Sequence, residues 1–110
     1  MIKITELILK PCSFGGTNEP EQVVALASEI DSGRIQHGVW ESGPGEFNLK
    51  FNWHETAYIL DGRADIENLQ TGEKYILCPQ SMMSFEQGSY WRWRIPWKVK
   101  KIFTVVESSQ

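Results

Sequence analysis

From Arg34 onward the chain alternates apolar and polar residues almost without a break. In "EFNLKFNW", residues 46–53, the odd positions are Phe47, Leu49, Phe51 and Trp53, and the even ones are Glu46, Asn48, Lys50 and Asn52. A period of two gives one wholly apolar face and one wholly polar face, which is a strand packed on a core from one side. "ETAYILDGRADI" then runs into "ENLQTGEKYIL", predicting a hairpin that turns around Thr71 and Gly72. Three more strands are expected in "SMMSF", "SYWRWRI" and "KVKKIFTVV". Gly- and Pro-containing breaks ("SFGG", "SGPG", "DGR", "TGE", "EQGS", "RIPW") separate these runs. About eight short strands between residues 36 and 110, without repeats, fit an all-β jelly-roll barrel.

The first 35 residues read differently. "TNEPEQVVALASEIDSG" predicts one short helix: Thr17 or Asn18 caps it, Pro20 and Glu21 suit its first turn, and Gly33 stops it. Val23, Val24, Ala27 and Ile30 would form its narrow apolar stripe. With a possible strand over residues 2–9, this segment is expected to be an N-terminal arm, 1–35, laid against a barrel, 36–110, within one domain.

Composition narrows the classes of function. At 110 residues and 41 % hydrophobic, the chain can bury one core without disulfides. A net charge of -3 argues against broad binding to a phosphate backbone, which needs clustered Lys and Arg, so no nucleic-acid partner is expected. The one dense basic run, "KVKK" from Lys98 to Lys101, reads as a solvated outer strand face or a lysine-protected edge. No apolar stretch approaches the roughly 20 residues that cross a bilayer, and "MIKITELILK" lacks the long apolar run of a signal peptide. A soluble, cytoplasmic protein without a membrane partner is expected. Cys12 and Cys78 lie far apart and outside any CxxC pattern, so both read as reduced and structural, with Cys78 a buried apolar filler.

Three stretches carry a resemblance to a known family: "GVWESGPGEF", "ETAYILDGRADI" and "SMMSFEQGSYWRWRIPWKVKKIF", spanning residues 38–103. Their G-x-W-E-x-x-P-G-x-F run, E-x6-G run and Trp-rich late strand resemble the small single-domain cupins (RmlC-like), of the branch grouped with the cupin part of ethanolamine utilisation protein Q and with ureidoglycine aminohydrolase. The resemblance implies a cupin-type double-stranded β-helix and a homodimer paired sheet to sheet. In the superfamily's first motif, G-x5-H-x-H-x3-4-E-x6-G, the acid and closing glycine match Glu55 and Gly62, but the histidine positions fall on Leu49 and Phe51, or on Asn48 and Lys50. In the second motif "EQGSYW" puts Trp91 at the last histidine. A transition metal needs several N or O donors, so no metal and no cofactor are expected. His54 neighbours Glu55, and adjacent strand residues reach one ion only across a bulge; it reads as a surface residue, and His37 is no better placed.

On the parity set by Glu55, the residues expected inside are Phe47, Leu49, Phe51, Ala57, Ile59, Trp91 and Trp93, large enough to plug part of the barrel. Thr56, Tyr58 and Leu60 fall on the outer face and need cover. Burial among aromatic rings disfavours the charged form of Glu55, which suits a general acid or base or the anchor of a ligand's hydroxyl or amine. Equally open is a Glu55 that only hydrogen-bonds a Tyr, Trp or Arg. Glu41 and Glu46 read as exposed, and Arg92 and Arg94 share an outer face with Tyr90. Three functions follow: a metal-free cupin binding a small polar metabolite in the barrel mouth, with Glu55 as anchor and Phe51, Trp53, Trp91 and Trp93 as walls; an enzyme acting on an amino- or ureido-substituted metabolite with Glu55 as acid/base; or a non-catalytic structural or regulatory dimer.

Overall fold

A computed structural model describes residues 2–14 and 19–107. Its strands are β1 (Lys10–Cys12), β2 (Gln22–Ile30), β3 (Ile35–Ser42), β4 (Gly45–Lys50), β5 (His54–Gly62), β6 (Ala64–Asn68), β7 (Lys74–Leu77), β8 (Met82–Phe85), β9 (Tyr90–Ile95) and β10 (Val99–Val106). They form a six-stranded sheet in the order β1-β2-β3-β10-β5-β8 and a four-stranded sheet in the order β4-β9-β6-β7, antiparallel throughout. This is the expected jelly roll.

The alternation set the inner faces correctly. Phe47, Phe51, Glu55, Ala57, Ile59, Trp91 and Trp93 are all buried, and Leu49 is half-buried. The hairpin of β6 and β7 turns through residues 69–73, as its Thr-Gly pair predicts. Gly62 closes β5 at φ +80, with the chain entering β10 so close that an added Cβ would lie 2.0 Å from the Lys98 carbonyl oxygen. Only a residue without a side chain fits that crossing, which accounts for the glycine of the motif. Beside it the exposed Lys98 ammonium holds the Asp61 carboxyl below its ordinary range, a surface pair of little weight in stability.

The N-terminal arm departs from expectation. Residues 22–30 are a strand, not a helix, and β2 pairs along its length with β3. Val23 to Ala27 is an unbroken apolar run, which suits a helix or a strand equally. Its β-branched residues and an open sheet edge at β3 resolve the tie, because tertiary pairing overrides a weak intrinsic preference. The proposed caps Thr17 and Asn18 lie outside the described residues. Gly33, expected as a helix stop, instead completes a tight turn in which Asp31, Ser32 and Gly33 all have positive φ. The strand expected over 2–9 is also displaced. Ile4–Glu6 form a short 3-10 turn, and pairing begins only at Lys10, where β2 supplies a partner.

Candidate functional site

β10 lies between β3 and β5, so its inward residues face the middle of the barrel. Those residues are Val99, Lys101, Phe103 and Val105, and the second is a lysine only 5 % exposed. The dense basic run therefore is neither an outer face nor an edge. Alternation splits it: Lys98 is exposed, Lys100 is half-buried, and Lys101 turns inward. Its Nζ donates to Glu55 Oε2 at 2.5 Å, while the other carboxylate oxygen accepts from Trp53 Nε1 at 3.0 Å. Lys101 pairs with Ile59 and Glu55 with Val105, so two long side chains lean toward each other along the sheet. Two indole faces complete the surround, with Nζ 4.6 Å from the Trp40 ring and 5.1 Å from that of Trp93. The negative π faces favour the cation and shield it from water.

A cavity of about 310 Å³ opens against this pair. Its apolar walls include Trp40, Trp53, Phe103 and Val105, and Glu55 and Lys101 supply its buried charge. The volume is at the small end of ligand sites, and the composition is theirs: greasy walls with few placed polar groups. A wider hollow of about 720 Å³ lies over the outer face of the four-stranded sheet. Four of its charges pair with one another on this solvated face, Arg92 with Glu67 at 3.0 Å and Arg63 with Asp65 at 2.8 Å.

Of the residues expected to bind ligand, Trp53 lines the cavity together with Glu55, whereas Phe51, Trp91 and Trp93 do not. These three are packed in the core, where Phe51 stacks on Phe85 at 4.5 Å and Phe85 meets Trp91 edge-on at 5.2 Å and Trp93 at 5.7 Å. Their rings belong to the buried core, and Trp93 Nε1 is left without a hydrogen-bond partner among the described residues. Sequence reasoning missed Lys101. The signal was present, since in "VKKIFTVV" Lys101 shares parity with Val99, Phe103 and Val105. His54 is exposed and accepts from the Gln87 amide, and the half-buried His37 bonds Thr104. On the outer faces, Glu46 is exposed as expected and Glu41 half-buried, while Arg94 is exposed and Arg92 half-buried.

The cysteines divide in the opposite sense to expectation for Cys78, which is exposed because β7 ends at Leu77 and the chain turns there. Cys12 is half-buried in the cavity wall, and burial, with the nearby Glu19 carboxylate, pushes its thiol up despite the opposing Lys101 charge. A thiolate-selective alkylating reagent is therefore expected to label Cys78 well before Cys12, with Cys12 catching up only as the pH is raised. Peptide mapping after timed labelling checks this; equal rates at neutral pH would contradict the burial of Cys12.

A model of the EutQ-like cupin domain matches residues 30–103. The chain belongs to that family. Among solved structures, this cupin is similar to the Clostridium difficile EutQ protein, with a TM-score of 0.80 and 18 % identity over 100 % of this chain and 88 % of that one. It is also similar to a predicted oxalate decarboxylase from Thermotoga maritima (TM-score 0.76, 14 % identity, 98 % and 99 % covered). A third is the polyketide cyclase RemF from Streptomyces resistomycificus (0.77, 11 %, 98 % and 79 %). No curated protein matches the sequence. Neighbours so differently named share a fold, and a fold alone does not select a reaction.

The donor set of this cupin does not fit a transition metal. None of the positions that the resemblance assigns to histidines, Leu49 and Phe51 or Asn48 and Lys50, and Trp91, carries an imidazole, and the remaining acid, Glu55, already holds an ammonium. Among the described residues no three His, Cys, Asp or Glu side chains cluster. Lys101 supplies, from within the chain, the positive charge that a metal would bring to that carboxylate.

Proposed function

We propose that this cupin binds a small organic molecule with an apolar or aromatic body and one oxygen acceptor, without a metal. The body lies against Trp53, Phe103 and Val105, and the acceptor meets Lys101. The observation carrying this reading is a buried ion pair in the wall of an otherwise apolar cavity. Such a pair adds little stability over apolar residues of the same volume, and strongly polar groups in a greasy pocket are the usual mark of recognition. The test is a titration of benzoate, benzyl alcohol, small sugars and amines followed by tryptophan fluorescence and thermal shift. The aromatic oxygen compounds are expected to bind and the Trp53→Ala variant to bind them at least about tenfold more weakly, the loss of one well-packed aromatic contact. Absence of binding by any of these compounds sinks the reading, and stoichiometric manganese, zinc or nickel in untagged protein removes its metal-free part.

A second reading makes the protein an enzyme on an amino- or ureido-substituted metabolite, as the resemblance to ureidoglycine aminohydrolase suggests. Its support is that Trp53 and Lys101 fix both oxygens of Glu55, as an oriented acid/base group requires. Full turnover by Glu55→Gln would remove it. In either case we take the working unit to be a homodimer, since Tyr58, Leu60 and the 69 % exposed Met82 form an apolar strip on the outer face of the six-stranded sheet. Sedimentation is expected to show a dimer that Tyr58→Glu splits; a monomeric wild type refutes it.

A further inference from the structure

Lys101 has the setting of a reacting amine. Among the described residues it is the one buried lysine, it lines the cavity, and its Nζ touches a carboxylate oxygen. Its remaining directions face the Trp40 and Trp93 rings, and no other acceptor takes its protons among the described residues. The carboxylate is itself pinned by Trp53, so a proton carrier stands fixed beside the nitrogen. Apolar walls that exclude water favour a step that releases water over its reverse. A lysine on a flexible stem in such a place is suited to attack a carbonyl carbon.

We infer that Lys101 forms an imine with a small aldehyde or ketone in this cavity, Glu55 carrying the protons. The inference rests on the cavity binding oxygen-bearing ligands, as proposed above, and adds the carbonyl class and a covalent step. The ammonium passes one proton to Glu55, and the freed lone pair attacks the carbonyl carbon. The C=O pair moves to oxygen, which takes the proton from Glu55 to give the carbinolamine. Glu55 then removes a proton from nitrogen and delivers it to the hydroxyl, the C–O bond breaks, and water leaves as the nitrogen lone pair closes the C=N bond. The sum is ammonium plus carbonyl to iminium plus water, with Glu55 again a carboxylate and no oxidant or reductant consumed. Charge is conserved where it was, since the iminium keeps a cation beside Glu55 and against two indole faces.

Benzaldehyde with cyanoborohydride tests this on the full chain, because reduction freezes the imine as a benzyl amine. Intact mass is expected to rise by one benzyl group, and peptide mapping to place it on Lys101 about tenfold or more ahead of the exposed Lys50 and Lys74, as a positioned amine should react. Lys101→Arg, which keeps the charge and its partner, is expected to lose that fast adduct while retaining the native circular dichroism spectrum. Glu55→Gln is expected to slow it. Labelling of Lys101 no faster than of the exposed lysines overturns the inference. If benzyl alcohol still quenches tryptophan fluorescence in that case, the ligand reading stands without the imine; if it does not, both fall.

Discussion

Lys101→Met is expected to destabilise the fold by about 3–5 kcal/mol, because it leaves the Glu55 carboxylate in the barrel with only the Trp53 N–H for company. The side chains of the pair are 7 % and 4 % exposed, so water offers the abandoned charge little relief. The methionine fills much of the lysine's volume, which keeps cavity formation out of the comparison. The informative control is the double variant Glu55→Gln/Lys101→Met, which removes both charges and is expected to recover most of the loss. Urea denaturation of the four proteins in the cycle measures the coupling directly. A single variant within about 1 kcal/mol of wild type, the net value of an ordinary hydrogen bond, would mean that the pair is wet and the site shallower than the geometry says.

The second large effect belongs to a phenylalanine at the centre of the aromatic core. Phe51 is fully buried, lies parallel to Phe85 with centroids 4.5 Å apart, and meets Trp53 edge-on at 6.0 Å. Phe51→Ala empties the middle of this stack and is expected to cost about 3–5 kcal/mol, the usual loss for a buried phenylalanine. It should also loosen Trp53, whose ring touches both Phe51 and Phe14 and whose N–H fixes Glu55. Denaturation reports the first effect and a red-shifted tryptophan emission the second. Near-wild-type stability would show that the barrel interior collapses around the gap.

Periodicity made the barrel legible because strand parity is rigid: once Glu55 faces inward, Ala57 and Ile59 must follow, and each is buried. The same rule read the outer positions of Thr56, Tyr58 and Leu60. Two failures show its boundary. Residues 23–27 are an unbroken apolar run with no period to read, and the strand form is set by pairing with β3, which local sequence does not display. Lys101 was passed over for a different reason. A lysine in a basic run is usually solvated, and the carboxylate of Glu55 on the neighbouring strand, with two indole faces, is what offsets the cost of an inward one. Which aromatic rings form core and which form wall depended on how far each lies along its strand from the cavity, and alternation carries no such coordinate.

The placement of β10 also governs how the chain must assemble. Residues 99–106 fill the gap between residues 35–42 and 54–62, so neither flanking strand has its inner neighbour until almost all of the sequence is available. Without β10 those two strand edges would stand open, and Val39, Trp40, Ala57 and Ile59, all buried in the folded chain, would lose part of their cover. Contacts that span so much sequence form slowly, and the wait is when chains adhere to one another. A protein made this way should refold in milliseconds to seconds and lose yield steeply as its concentration rises.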